Sequence, residues 1–178
     1  MTKFVALLRG VNVGGNTMVK MDDLKKWFAA LGFKNIKTIL NSGNVLFESA
    51  DEDEDELVKR IQGKLKTQLG HEVGVQIRSI DEIEKLADRD PFKKIKVTPE
   101  TRLYITFLVD QPKSKLKIPY ETPEKDCKIL EVTNREVCCA ITLSPGRGTT
   151  ELMSFLEKEF GKNVTTRNWN TLGRILKG

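Results

Sequence analysis

The sequence predicts an α+β protein, a ferredoxin-like βαββαβ sandwich followed by a second, smaller α+β unit. Three observations point there. Strand-like and helix-like periodicities alternate over residues 1–79 in the order strand, helix, strand, strand, helix, strand. A second set of strand patterns then begins near Leu103. Between them, residues 80–101 read as a short helix and a connection, so the expected organisation is 1–79, 80–101 and 102–178.

The elements follow in chain order. Phe4-Val5-Ala6-Leu7-Leu8 is a short continuous apolar run, the pattern of a buried strand. Met21, Leu24, Phe28 and Leu31 recur at helical spacing, Asp22 and Asp23 suit the positive end of that helix, and Gly32 suits its close. Residues 35–40 and 44–48 read as two strands around the hairpin turn Asn41-Ser42-Gly43. The run Asp51-Glu52-Asp53-Glu54-Asp55-Glu56 opens a second helix with the apolar stripe Leu57, Ile61, Leu65 and Leu69, closed by Gly70. Val73, Val75 and Ile77 alternate in a strand over 72–77.

Ser79 and Glu82 have capping-box spacing, which predicts a short helix ending at Asp90-Pro91. A strand over 103–109 comes next, then a polar, lysine- and proline-rich stretch over 111–124. A hairpin over 129–133 and 137–143 turns at Asn134-Arg135. The loop Ser144-Pro145-Gly146-Arg147-Gly148-Thr149 leads into a helix carrying Leu152, Phe155, Leu156 and Phe160. The polar segment Thr165-Thr166-Arg167-Asn168 reads as a loop before a last helix over 169–176.

Composition narrows the function classes. The chain has 178 residues, 39% of them hydrophobic, and no run long enough to span a bilayer. No secretory leader pattern is present at the N-terminus, and the three cysteines, Cys127, Cys138 and Cys139, read as reduced core residues. A cytoplasmic protein without membrane partners is the expectation. The net charge of +5 includes the acidic block at 51–56, so the rest of the chain is markedly basic. Such a surface suits phosphate-rich partners, although lysines spread over helices also serve plain solubility.

No catalytic constellation emerges. His71 is the single histidine, and its neighbours Gly70 and Glu72 mark an exposed turn. The cysteines lack metal-ligand spacing, so no metal is expected, and neither standard nucleotide loop occurs, so no cofactor is expected. The loops are more suggestive. Arg9-Gly10-Val11-Asn12-Val13-Gly14-Gly15-Asn16 leaves the first strand with three glycines, an arginine and two asparagines. Arg9, Arg147, Arg167 and Arg174 all fall in or beside turns rich in Gly, Asn or Thr, and arginine grips phosphate or carboxylate through a planar fork. Loops ending in Gly148-Thr149 and in Asn168-Trp169 lead into helix N-termini, where unpaired amides favour anions.

The candidate ligand-binding residues are therefore Arg9, Asn12, Gly14, Gly15, Ser42, Asn44, Arg147, Arg167, Asn168 and Trp169. Each motif also has a structural alternative. Asn168 serves as an ordinary N-cap, Gly14-Gly15 as a corner, and Ser42-Gly43-Asn44 as a hairpin turn.

Three segments together resemble one family. They are Leu7-Leu8-Arg9-Gly10-Val11-Asn12-Val13-Gly14-Gly15 with Val19-Lys20-Met21 and Leu24; Asn41-Ser42-Gly43-Asn44-Val45-Leu46-Phe47; and Thr166-Arg167-Asn168-Trp169-Asn170-Thr171-Leu172. The chain is similar over essentially its whole length to the bacterial domain of unknown function 1697 family, with Val11 and Leu172 as apolar variants. The resemblance implies a two-part α+β fold with a ferredoxin-like portion in a bacterial cytoplasmic protein, and carries over no activity or catalytic residue. Three readings stay open: a binding module for an anionic, phosphate-bearing small molecule or nucleic acid; an enzyme acting on a small phosphorylated substrate; and a protein-interaction module. The oligomeric state is not legible.

Overall fold

The structure, a computed structural model, describes residues 1–15 and 18–178. It is a mixed α+β fold with two antiparallel sheets and five helices among the described residues. The chain divides into one unit of Met1–Lys85 with Gly173–Gly178, and a second of Leu86–Leu172.

In the first unit the elements are β1 (Thr2–Leu8), α1 (Met21–Ala30), β2 (Lys34–Ile39), β3 (Asn44–Ser49), α2 (Glu54–Leu69) and β4 (Val75–Ser79). Their sheet has the order β2-β3-β1-β4, every pair antiparallel. Phe4 to Leu8 are all buried, as a central strand covered on both faces requires. Phe4, Ala6 and Leu8 join Leu24 and Phe28 of α1, and Leu57, Ile61 and Leu65 of α2, in one core. Phe47 sits at its centre, 4.5 Å from the ring of Phe33 and 5.6 Å from that of Phe28. At the head of α2, Asp53 accepts the amides of Asp55 and Glu56 at 3.0 and 3.2 Å. The acidic block is thus a helix start, with its charge at the positive end of the dipole.

β4 begins three residues later than the alternation of Val73, Val75 and Ile77 predicts. The amide of Arg9 donates to the carbonyl of Gly74 at 2.8 Å as the chain leaves β1, so the ladder's last rung is Leu8 with Val75. Val73 is still buried in the core, from the loop.

The predicted capping box is present. Ser79 donates its amide to Glu82 Oε2 at 2.9 Å, and Glu82 returns its amide to Ser79 Oγ at 3.2 Å. It opens α3 (Ile80–Arg89), within which the division between the units falls.

The second unit contains β5 (Thr101–Leu108), β6 (Tyr120–Glu121), β7 (Cys127–Val132), β8 (Glu136–Thr142), α4 (Thr149–Phe160) and β9 (Val164–Asn168); α5 (Trp169–Lys177) starts in it. Its sheet order is β6-β7-β8-β5-β9, again antiparallel. Leu152 and Leu156 of α4 pack with Leu108, Ile129, Val137, Cys139 and Val164. Two strands were not anticipated. The segment containing Arg167 is not a loop but β9, whose register pairs Arg167 with Ile105 and Thr166 with Thr106. Its β-branched residues suit a strand, and Thr106 and Thr166 join hydroxyls across the pair at 2.8 Å. The two-residue β6 lies in the lysine-rich stretch. No helix among the described residues is long and apolar enough to cross a membrane.

All three cysteines are free and buried, Cys127 in β7 and the other two in β8. Burial pushes the Cys127 and Cys138 thiols up to about 12, and Cys139 is also raised well above the ordinary thiol value. At pH 8 the Cys127 and Cys138 thiols are then ionised to only about one part in ten thousand, Cys139 is suppressed in the same direction, and the thiolate is the nucleophile. Iodoacetamide at that pH should therefore leave the native protein unmodified and alkylate all three cysteines once denaturant unfolds it, a difference read by intact mass.

Candidate functional site

The C-terminal end of β1 is stitched to both neighbouring loops. Leu8 donates its amide to Gly43 of the β2–β3 turn at 2.8 Å, and Arg9 to Gly74 at 2.8 Å. Gly43 is obligatory there. Its φ is +79°, and a Cβ added to it would lie 2.9 Å from the Cβ of Leu8.

Asn12, itself left-handed at φ 55°, spends its whole side-chain amide on this junction. Its Nδ2 donates to the carbonyls of Val19 at 2.9 Å and Asn41 at 2.8 Å, and its Oδ1 accepts the amide of Val19 at 2.7 Å. One side chain thus closes the loop after β1 and ties it to the hairpin. Asn44 is fully buried. It donates to the carbonyl of Ile39 at 2.8 Å and to Ser42 Oγ at 3.1 Å.

The structure therefore brings Arg9, Asn12, Gly14, Gly15, Ser42 and Asn44 to one end of the first sheet. Asn12 and Asn44 act as braces there. Arg9 is half-buried, and Gly14 and Gly15 are exposed at φ 59° and 75° with nothing within 4 Å of where a Cβ would stand. Asn16 lies outside the described residues.

The remaining candidates belong to the second unit. Arg167 donates Nη1 to the carbonyl of Thr166 at 3.1 Å, and burial pulls its guanidinium down to about 10. It is still charged at neutral pH. Asn168 caps α5, its Oδ1 accepting the amide of Asn170 at 2.9 Å. Trp169 meets Phe92 edge-on, with centroids 5.1 Å apart.

Arg147 is in a different setting. Its Nε donates to Asp126 Oδ2 at 2.6 Å, and its Nη1 lies 3.6 Å from Glu124. Gly148, at the head of α4, donates its amide to Glu151 at 2.8 Å. This helix N-terminus has its anion already, supplied by the chain. Asp126 precedes β7, three strands from β9 in the sheet, or roughly 14 Å laterally. Arg147 and Arg167 form no common cluster.

A hollow of about 800 Å³ in the first unit holds none of the predicted residues. Lys3, Lys37, Leu46, Asp81, Glu84 and Leu176 are among those lining it. Leu46 lies in the Asn41–Phe47 segment, but no motif marks Lys3, Lys37, Asp81, Glu84 or Leu176, because they come from separate elements and mix both signs of charge. His71 is exposed, as expected of a turn. Among the described residues no three of His, Cys, Asp or Glu are grouped so as to hold a metal.

Two outcomes follow from these contacts. Asn12→Ala removes both a donor pair and an acceptor from one partly buried junction, and should cost about 1–3 kcal/mol in urea unfolding. The Asp126 carboxyl is held below its ordinary value of 3.8, first by the Thr122 hydroxyl and then by Arg147. Its contribution to stability is present above that value and is lost as pH falls through the lower folded one. Asp126→Asn should accordingly show a shallower decline in unfolding midpoint between pH 5 and pH 2 than the parent protein.

A solved structure of a conserved bacterial protein from Streptococcus pneumoniae is similar to this chain, with a TM-score of 0.74 and 20% identity, over 99% of this chain and 97% of that one. At that identity the likeness concerns the fold. No curated protein sequence matches. The profile of a protein family of unknown function, DUF1697, matches residues 1–137, a span that includes both the loop after β1 and the hairpin tied to it. On that match, the chain belongs to the DUF1697 family.

Proposed function

We propose that this protein is a binding module for an anionic, phosphate-bearing ligand, held at the loop that follows β1. One observation carries the reading. Gly10, Asn12, Gly14 and Gly15 all have left-handed backbone, at φ 71°, 55°, 59° and 75°, immediately after Arg9. Runs of this kind turn successive amides toward one side and form concavities that take anions. Arg9 adds a fork suited to two phosphate oxygens.

The local charge supports the same ligand. No acidic residue occurs between Leu8 and Met21, or between Ile36 and Phe47, whereas Arg9 and Lys20 lie in the first of these stretches. Asn12 and Asn44 support the site by fixing the loop and the hairpin rather than by contact. In the second unit Arg167, Asn168 and Trp169 offer a partly desolvated cation on a strand end, a further place for anion contact. Arg147 has a structural role in this reading, since Asp126 and Glu124 already compensate it. We also infer that the first unit is a ferredoxin-like sandwich. The order β2-β3-β1-β4, with α1 and α2 contributing to one core, supports it.

Thermal-shift and calorimetric titration with inorganic phosphate, sugar phosphates, nucleotides and short oligonucleotides tests the proposal. Arg9→Gln should weaken binding about 10- to 100-fold, the equivalent of a charge-assisted hydrogen bond, with little change in melting temperature. If no phosphate compound binds, or if Arg9→Gln melts early and leaves the response intact, the loop is structural.

A further inference from the structure

Beside this loop lies a set of exposed apolar side chains that neither the core nor the phosphate reading uses. Val13 is 54% exposed, Met18 77% and Leu40 42%. They come from separate stretches, yet the Asn12 side chain ties together the backbone beside each of them. Asn12 precedes Val13, and its amide holds the backbone of Val19, next to Met18, and of Asn41, next to Leu40. Each of the three therefore sits one α-carbon step, roughly 3.8 Å, from an anchor of the same brace.

Leu40 is the most telling of them. Its φ is 59°, a backbone conformation that asparagine and glycine adopt readily and a leucine does not. A strained leucine is ordinarily repaid by full burial, but this one remains 42% exposed. Backbone outliers of this kind collect where a side chain is held out for a ligand. Val, Met and Leu provide no hydrogen-bond donor or acceptor of any strength in their side chains, so a sugar placed against them would lose its hydroxyls' partners.

We propose that the ligand is a phosphate ester whose remainder is apolar, its phosphate on the Arg9–Gly15 loop and its apolar part on Val13, Met18 and Leu40. This inference rests on the phosphate reading of the loop and specifies what the phosphate is attached to. Val13 precedes Gly14 and Gly15 on the loop, Met18 precedes Val19, and Leu40 opens the hairpin turn whose Gly43 carbonyl accepts the amide of Leu8.

Phenyl phosphate and glycerol 3-phosphate separate the two ideas, because both are phosphomonoesters of the same charge and only one has an apolar remainder. Calorimetric titration of the full chain with both, and with inorganic phosphate, should give phenyl phosphate an affinity about tenfold or more above that of glycerol 3-phosphate. Leu40→Asn should reduce that preference to about threefold or less, leave inorganic phosphate binding unchanged, and not lower the melting temperature, since asparagine accepts the backbone. Val13→Thr should reduce it too. Equal affinity for the two esters, with inorganic phosphate bound, overturns the apolar seat and leaves the phosphate site standing. A preference that survives both substitutions places the apolar contact elsewhere and also overturns it. Binding of none of the three compounds removes the phosphate site itself.

Discussion

β1 has to bury both of its faces, and the arrangement of the first unit depends on how that is done. Phe4, Ala6 and Leu8 enter the core formed with α1 and α2, while Val5 and Leu7, on the reverse face, are also fully buried. Full burial of each large apolar side chain is worth about 1.5–3 kcal/mol, so a strand with four of them, Phe4, Val5, Leu7 and Leu8, cannot shift any into water without a large penalty. The register with β3 and β4 is thereby set. It also fixes where the strand stops, and Arg9 and the glycine-rich loop start from that point. Precision at the loop is inherited from apolar packing behind it.

Much of the fold was legible because local and tertiary preferences agree. The helical stripes of α1 and α2, the uninterrupted apolar run of β1 and the Ser79–Glu82 box each describe a segment whose structure is decided largely by its own residues. β9 was not legible, since Val164-Thr165-Thr166-Arg167-Asn168 has no apolar alternation and becomes a strand only because β5 offers it a partner. The late start of β4 has the same origin. The carbonyl of Gly74 is taken by Arg9, a contact between segments far apart in the chain.

The candidate residues were legible as polar, glycine-rich turns, but neither which of them share an end of the first sheet nor their roles could be read from the sequence. Asn12 and Asn44 have the residue type expected of ligand contacts, and their amides turn out to hold backbone. The arginines make the same point about charge. Arg147 and Arg167 both look like anion sites in sequence. One is paired with Asp126 and held above its ordinary pKa by that hydrogen bond, and the other is pulled down by burial. That Asp126 folds against Arg147, a contact between residues 21 apart in the chain, is not marked in either segment.

The margins of the second sheet have a consequence for how copies of this protein meet. A terminal strand is a template on which another chain can grow a further strand. At one margin β6 is two residues long and offers almost no ladder. At the other, β9 carries Arg167, a cation already partly stripped of water. An incoming strand would have to bury that cation further, at a cost in desolvation. A margin that carries such a cation is a poor seed for fibrillar self-association.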